Sequence, residues 1–193
     1  MRQPSKYRGL KGLTPVELRS DDDWFELLEG ARQSAFHLEV RDSYAEPEES
    51  EPLRRYLNGE PEPEADRYDK SDWIELVETL TARGVLMSRV RVVTEPLSGY
   101  HRWLLTVAGS SVDAGEDIRY APRHLVEDVP ADDWWLFDGD RVGFNLFDDA
   151  GRPAGAAVTA DPGIVAYCRA TRDRLWRLAT PFTDYVAAVN ARQ

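Results

Sequence analysis

Residues 85–94 have the sequence VLMSRVRVVT, which predicts a strand inside a β-sheet. It is rich in β-branched residues, which favour an internal β-strand. Successive side chains of a strand point to opposite faces of the sheet. Arg89 and Arg91 therefore share one face, while Val90 and Val92 form an apolar face on the other side.

Helices and strands alternate on the N-terminal side of this strand. Residues 24–33 have apolar positions at helical spacing, and residues 35–41 alternate apolar and polar side chains as a half-buried strand does. A second amphipathic helix begins at Ser71 and ends at Gly84. Alternation of this kind indicates a sheet with parallel neighbours.

The C-terminal half adds a hairpin and a long helix. Gly139, Asp140 and Arg141 are turn residues between two strand-like segments, and Asp161 followed by Pro162 is a typical helix start. The predicted elements are helix 97–108, strand 117–120, hairpin strands 134–138 and 142–148, strand 156–159 and a helix from Asp161.

We therefore expect an α/β fold with a single mixed β-sheet, partly parallel and with a C-terminal antiparallel meander, flanked by helices. The expected organisation is one domain over residues 20–185. It carries an acidic insertion rich in Pro and Glu at 45–70, in which a short helix lies around residues 53–57. A flexible basic segment, 1–19, precedes the domain, and a tail, 186–193, follows it.

Composition narrows the functional classes. The 193 residues carry a formal net charge of -11, which disfavours direct binding to nucleic acid or to anionic membranes. The single cysteine, Cys168, excludes an internal disulfide and a multi-cysteine zinc site. With no secretory signal and no apolar run of membrane-spanning length, a cytoplasmic location is expected.

No complete catalytic motif is present. The glycines do not form a phosphate-binding loop, and His37, His101 and His124 do not fit a helical zinc motif, so neither cofactor nor metal is predicted. His37 and Glu39 would point from the same strand face. In an enzyme they would be the acid/base pair; the alternative is a hydrogen-bonded polar strand face.

A set of arginines forms the candidate anion site, because guanidinium groups suit planar anions. The alternative is an internal ion-pair network with Glu95, Glu116 and Asp117. The predicted anion ligands are Arg89, Arg91, Arg119 and Arg123, supported by Glu95, Arg102, Glu116 and Asp117.

Several long segments resemble a family of actinobacterial proteins known as domain of unknown function 6879. They are SAFHLEVRDSY, RVRVVTEPLSGYHRW, AGEDIRYAPR, DDWWLFD and DPGIVAYCRATRDRLWRLATP. The resemblance covers roughly residues 20–185. Members are often encoded beside helix-turn-helix regulators, so the resemblance implies a regulatory role.

The chain is more distantly similar to a phospholipase D-like half-domain, whose active strand carries the motif H-x-K-x(4)-D. If Asp138 is aligned with the aspartate of this motif, Ala131 stands at the nucleophilic histidine and Asp133 at the phosphate-binding lysine. The resemblance therefore implies a fold of this type that lacks the catalytic pair.

Together these features favour a non-enzymatic regulatory module. Its expected partners are a regulatory protein, such as a helix-turn-helix regulator, and a small anionic ligand; a homodimer is also considered. The partner-binding surface would be the acidic segment 45–66 or exposed parts of Trp134 and Trp135. The alternative is an enzyme acting on an anionic or nucleotide-like substrate.

Overall fold

The computed structural model of the protein describes residues 14–20, 23–60 and 68–192. They form one eight-stranded mixed sheet with helices on both faces. The strands are β1 (Val16–Arg19), β2 (Ser34–Glu39), β3 (Leu86–Val93), β4 (Asp117–Pro122), β5 (Trp134–Phe137), β6 (Arg141–Phe147), β7 (Pro153–Thr159) and β8 (Thr180–Pro181). The helices are α1 (Trp24–Glu29), α2 (Pro47–Asn58), α3 (Ser71–Ala82), α4 (Gly99–Val107), α5 (Gly109–Asp113), α6 (Pro162–Leu178) and α7 (Phe182–Asn190).

The strand order is β1-β7-β6-β5-β2-β3-β4-β8. Strands β2, β3 and β4 are parallel neighbours, whereas all the other pairs are antiparallel. The predicted α/β class with a single mixed sheet and a C-terminal meander is therefore confirmed.

One face of the sheet is apolar and is covered by α6. Phe36 and Leu38 of β2 lie beside Val90 and Val92 of β3, and they pack with Leu175 of α6 in one buried cluster. Helix α6 begins as its sequence predicts, because the Asp161 carboxylate accepts hydrogen bonds from the first turn, from the N–H groups of Gly163 and Ile164.

The opposite face carries α1, α3, α4, α5 and α7. Leu28 of α1 and Leu80 of α3 pack on one part of it with Met87 and Phe137, and Tyr185 of α7 packs on Tyr120 at another. Between these apolar patches the centre of the sheet is polar. None of the helices in the described part of the chain has the length and apolar content needed to span a bilayer.

Both predicted chain ends need correction. Residues 16–19, assigned above to a flexible segment, form β1 and pair with β7, while residues 1–13 lie outside the described residues. The tail predicted at 186–193 is largely helical, because α7 extends to Asn190.

The helix in the acidic insertion is longer than the predicted 53–57. It spans Pro47–Asn58 and ends at Gly59, whose φ of 65° suits a glycine C-cap. Residues 61–67 lie outside the described part of the chain.

Candidate functional site

A cavity of about 770 Å³ lies over the polar centre of the sheet. Its floor comes from β2, β3 and β5, and its walls come from α1, α3, α4 and the segment around α2. A volume of this size suits a small organic ligand, since such pockets span roughly 300–1,000 Å³.

A buried ion network forms the charged part of the floor. Glu39 accepts hydrogen bonds from both Arg89 and Arg91. Arg89 Nε also donates to Glu116 Oε1 at 2.7 Å, and Arg91 Nη1 donates to the Tyr120 hydroxyl at 3.2 Å. Two carboxylates therefore neutralise two guanidinium groups.

The parallel register explains why these residues meet. His37 is opposite Arg89 and Glu39 is opposite Arg91 in the β2–β3 ladder, and Arg91 is opposite Tyr120 in the β3–β4 ladder. Side chains opposite one another on the same face are within contact distance. Glu116, which directly precedes β4, completes the network.

The two arginines hold the pKa of Glu39 far below its usual range, and this effect outweighs burial, which raises the pKa. The carboxylate is thus ionised at any ordinary pH. Such a group is a weak proton acceptor.

His37 has the opposite character. Burial lowers its pKa well below the ordinary value, and Arg89 and Arg91 lower it further, although Glu39 partly opposes them. The ring stacks on Trp135 with centroids 4.1 Å apart. His37 Nδ1 lies 3.3 Å from Glu39 Oε1, yet neither ring nitrogen has a hydrogen-bond partner among the described residues. His37 is therefore a neutral imidazole facing the cavity.

Aromatic side chains build much of the wall. The Arg89 guanidinium lies 5.3 Å from the ring centroid of Trp73 and 5.8 Å from that of Trp135. The hydroxyl groups of Tyr68 and Tyr100 both donate to Glu49, at 3.2 and 2.6 Å. Burial raises the pKa of Glu49 in spite of these bonds.

Lys70 is a third cation at the cavity. Its Nζ donates to Ser111 Oγ at 2.7 Å and to the Val107 carbonyl at 3.3 Å. Burial, with Arg89 and Arg91 nearby, lowers the pKa of Lys70 to about 8. Lys70 still carries a charge at neutral pH.

Asp133 lies just before β5 and is only 1% exposed. Its Oδ1 accepts the Val40 N–H at 2.7 Å, whereas its Oδ2 has no partner among the described residues. Burial raises the pKa of this carboxyl to about 6. A buried carboxylate without a cation is energetically costly.

Asp138 lies at the other end of β5. Its carboxylate accepts backbone N–H groups of Arg32, Gln33 and Ser34 at 2.7 to 3.1 Å. It thereby anchors the loop before β2, and it is remote in the strand from Asp133.

The structure does not bring all four predicted arginines together. Arg119 alternates with Ile118 and Tyr120 along β4, so it points to the α6 face, where its guanidinium lies 3.8 Å from the Trp176 ring centroid. Its ion pair is with Asp117 at 3.0 Å. Arg119 and Asp117 therefore lie on the far side of the sheet from Arg89.

Arg123 and two of the predicted supporting residues also lie apart from the cavity lining. Arg123 donates to the Val40 carbonyl and to Thr94 Oγ1, so it ties the ends of β2 and β3 together. Glu95 accepts the Tyr185 hydroxyl at 2.9 Å, and Arg102 donates to the Leu97 carbonyl at 2.7 Å. Of the predicted supporting residues, Glu116 alone joins Arg89.

The predicted tryptophan surface is also corrected. Trp134 and Trp135 are 1% and 5% exposed, because β5 lies inside the sheet and has helices over both of its faces. Neither side chain forms an exposed surface for a partner protein, although Trp135 lines the cavity.

Sequence reasoning missed the aromatic wall and the role of Asp133. Trp73, Tyr100 and Glu49 come from helices whose orientation needs tertiary packing. Little in the sequence pointed to Asp133, since it is one of several acidic residues in the segment 127–133 before β5. Among residues 14–20, 23–60 and 68–192, no group of three or more His, Cys, Asp and Glu side chains could hold a metal ion.

Two solved structures are similar to this chain. The phospholipase D family member Nuc from Salmonella typhimurium is 14% identical with a TM-score of 0.54, over 88% of this chain and 98% of Nuc. NucT from Helicobacter pylori is 7% identical with a TM-score of 0.53, over 88% of this chain and 99% of NucT. These likenesses confirm the predicted phospholipase D-like fold.

Comparison with curated protein sequences gave no match. A family model, described as "Domain of unknown function (DUF6879)", matches residues 22–187. The resemblance carried by SAFHLEVRDSY and the other segments is thereby confirmed. The chain belongs to the DUF6879 family and has a phospholipase D-like fold.

Proposed function

We propose that this chain is a non-catalytic ligand-binding module whose ligand occupies the cavity over β2, β3 and β5. One observation carries this proposal. The aromatic-lined cavity is present, but the H-x-K-x(4)-D alignment assigns Ala131 and Asp133 to the positions of the histidine and the lysine, and Asp133 lines the cavity.

The charges at the cavity support a binding role over phosphodiester cleavage. Phospholipase D chemistry requires an imidazole nucleophile and a cation that holds phosphate. Arg89 and Arg91 do not replace that cation, since Glu39 and Glu116 already neutralise them. Asp133 would repel a phosphate group.

Two measurements test this proposal. We expect no hydrolysis of bis(p-nitrophenyl) phosphate above the buffer rate. In a thermal-shift screen of charged metabolites, we expect at least one compound to raise the melting temperature, because a ligand of the folded state stabilises it. Hydrolysis that His37→Gln abolishes, or the absence of any stabilising compound, would overturn the proposal.

A pair of tryptophan variants locates the ligand. Trp73 lines the cavity, whereas Trp176 packs on the α6 face. Trp73→Phe should reduce the change in fluorescence caused by the ligand, and Trp176→Phe should leave it intact. The reverse result would move the ligand to the other side of the sheet.

The proposal extends to regulation beside a helix-turn-helix protein. Family membership and the acidic helix α2 support this extension, since exposed Glu51, Tyr56 and Leu57 offer a mixed acidic and apolar surface. The test mixes the purified chain with a regulator encoded beside its gene. Co-elution that Glu51→Lys weakens is expected, and separate elution would refute this part.

An enzymatic role is the second candidate, because the neutral His37 ring faces the cavity with both nitrogens unbonded to described residues. Such a ring could accept a proton from a bound substrate. If the ligand identified above is consumed, and His37→Gln stops its consumption without weakening its binding, the enzymatic role replaces the binding role.

A further inference from the structure

Four cavity residues carry buried polar atoms that make no hydrogen bond of normal geometry within the described chain. These atoms are Nδ1 and Nε2 of His37, Oη of Tyr44, Oδ2 of Asp133 and Oδ1 of Asn145. An unsatisfied buried polar group destabilises the folded state. Their concentration at one cavity indicates that a bound molecule supplies the missing partners.

The four residues are neighbours. Asn145 donates its backbone N–H to the Asp133 carbonyl at 2.9 Å, and its side chain interacts with His37. The Tyr44 hydroxyl faces the Asp133 carboxyl, so His37–Asn145 and Tyr44–Asp133 are two weakly hydrogen-bonded pairs whose remaining capacity a ligand would take up. A single functional group of a ligand could therefore contact several of them.

The missing partners are mainly hydrogen-bond donors. Asp133 Oδ2 and Asn145 Oδ1 accept only, and a neutral His37 ring has one accepting nitrogen. Asp133 also lacks an ion pair among the described residues. Arg41, a neighbouring cation, stacks on the Phe147 ring instead, 3.9 Å from its centroid.

The charge of the whole cavity favours a cation as well. Among the described residues that line it, eight are Asp or Glu and three, Lys70, Arg89 and Arg91, are Lys or Arg. A cleft with an excess of one sign attracts ligands of the opposite sign. The rings of Trp73, Trp135 and Tyr100 add a surface to which cations bind favourably.

We infer that the cavity binds a small organic cation whose ammonium or guanidinium N–H groups donate to Asp133 and Asn145, with the remainder of the molecule against the aromatic wall. This inference rests on the proposed function that the cavity is a ligand site. The inferred ligand is a cation, whereas the arginines alone predicted an anion. The charge of the arginines is already balanced by Glu39 and Glu116.

The experiment uses the full chain in calorimetry and thermal-shift assays. The cations are agmatine, arginine, tryptamine and spermidine, and a short arginine-containing peptide distinguishes a free molecule from a protein side chain. The anions are phosphate, AMP and benzoate. We expect a cation to raise the melting temperature and the anions to have no effect.

Variants of adjacent aspartates supply the matched control. Asp133→Asn removes the buried charge and retains an oxygen that can accept the Val40 N–H, so it should weaken cation binding by about tenfold or more, or about 1.4 kcal/mol. Asp132→Asn makes the same change at an exposed neighbour and should leave affinity unchanged. Circular dichroism establishes that both variants fold.

A third variant is expected to change the affinity for cations in the opposite direction. Asn145→Asp adds a second carboxylate to the unpartnered group, so it should strengthen cation binding. Weaker binding of cations by this variant would contradict the inference.

The outcomes separate the two proposals. If an anion binds in the cavity and no cation does, the inference fails while the binding role stands. If neither class raises the melting temperature, both fail. Equal loss of affinity in Asp133→Asn and Asp132→Asn would also overturn the inference, since binding would then reflect overall charge alone.

Discussion

The two faces of the central strands differ sharply although they are made of alternate residues of the same segments. On the α6 face, Phe36, Leu38 and Val90 are buried among other apolar side chains. On the cavity face, His37 and Glu39 take the intervening positions, and Glu39 contacts His37, Arg89 and Arg91.

The contrast separates stability from function. Apolar burial on the α6 face stabilises the fold by about 25 cal/mol per Å² removed from water. The ion network gives no such assured benefit, since a buried ion pair is often no more stabilising than apolar residues of similar volume. The polar stripe at the centre of the sheet therefore agrees with the ligand site proposed above.

The largest effect is expected from Glu39→Gln. This change leaves Arg89 and Arg91 as buried neighbouring like charges without their shared carboxylate, so the free energy of unfolding should fall by about 3–5 kcal/mol. Urea denaturation measures the change. A loss below about 1 kcal/mol would show that water already screens the network.

A combined variant and a surface control sharpen this result. Replacing Glu39, Arg89, Arg91 and Glu116 together by Met should recover most of the lost stability, because no charge is left unpaired. Glu51→Gln, which disturbs exposed ion pairs with Arg54 and Arg55, should change stability little.

On the α6 face, Leu38→Ala should lower the free energy of unfolding by about 2–5 kcal/mol, because it leaves a void at a fully buried position of the core. Ligand affinity should be retained, since Leu38 points away from the cavity. Chemical denaturation and calorimetry measure the two quantities. A loss of affinity in a folded variant would mean that the faces are coupled.

A smaller effect depends on pH. Burial raises the pKa of Asp133 in the folded state to about 6, above the ordinary value of about 3.9. The folded state therefore holds this proton more tightly than the unfolded chain does. The stabilising contribution is fully present below about pH 4 and is lost as pH rises through 6.

The free energy of unfolding of Asp133→Asn, relative to that of the wild type, should consequently increase as pH rises. At pH 7 the variant should be more stable by about 1–3 kcal/mol. Tyr44, Glu39 and Arg41 are the titratable or charged groups that act on Asp133, and all three are unchanged in the variant. Denaturation at pH 4 and pH 7 tests the sign. Parallel pH profiles would show that Asp133 is not the titrating group.

The smallest effect is expected from Arg119→Gln. It removes the stacking on Trp176 and the ion pair with Asp117, and it should cost about 0.5–1 kcal/mol. Binding in the cavity should not change, because the side chain lies on the α6 face. A change in ligand affinity would show that Arg119 contributes to the ligand site.

Much of the fold could be predicted because most elements carry a clear period. Residues 85–94 and 35–41 alternate on a two-residue period, and the helix from Asp161 has a strong cap. Strand β1 was missed because four residues carry little pattern and their pairing with β7 is long-range. Helix α7 was not predicted: residues 186–193 were assigned to a tail, and the contacts that hold this helix on Tyr120 are long-range.

The site was less predictable than the fold. Alternation correctly put Arg89 and Arg91 on one face, but the phase of β4 relative to β3 depends on strand register, so Arg119 could not be assigned to a face. The partners of the arginines depend on the same register. Trp73 and Glu49 reach the cavity only through helix packing, which a short-range pattern does not reveal.

The register of β2 against β3 has a further consequence, which concerns folding errors. If either strand slipped by one residue, its side chains would exchange faces, and Glu39 or the arginines would meet the apolar surface of α6 without partners. Such a misaligned sheet would bury several unpaired charges. The network thus penalises wrong strand pairing as the chain folds, independently of any ligand.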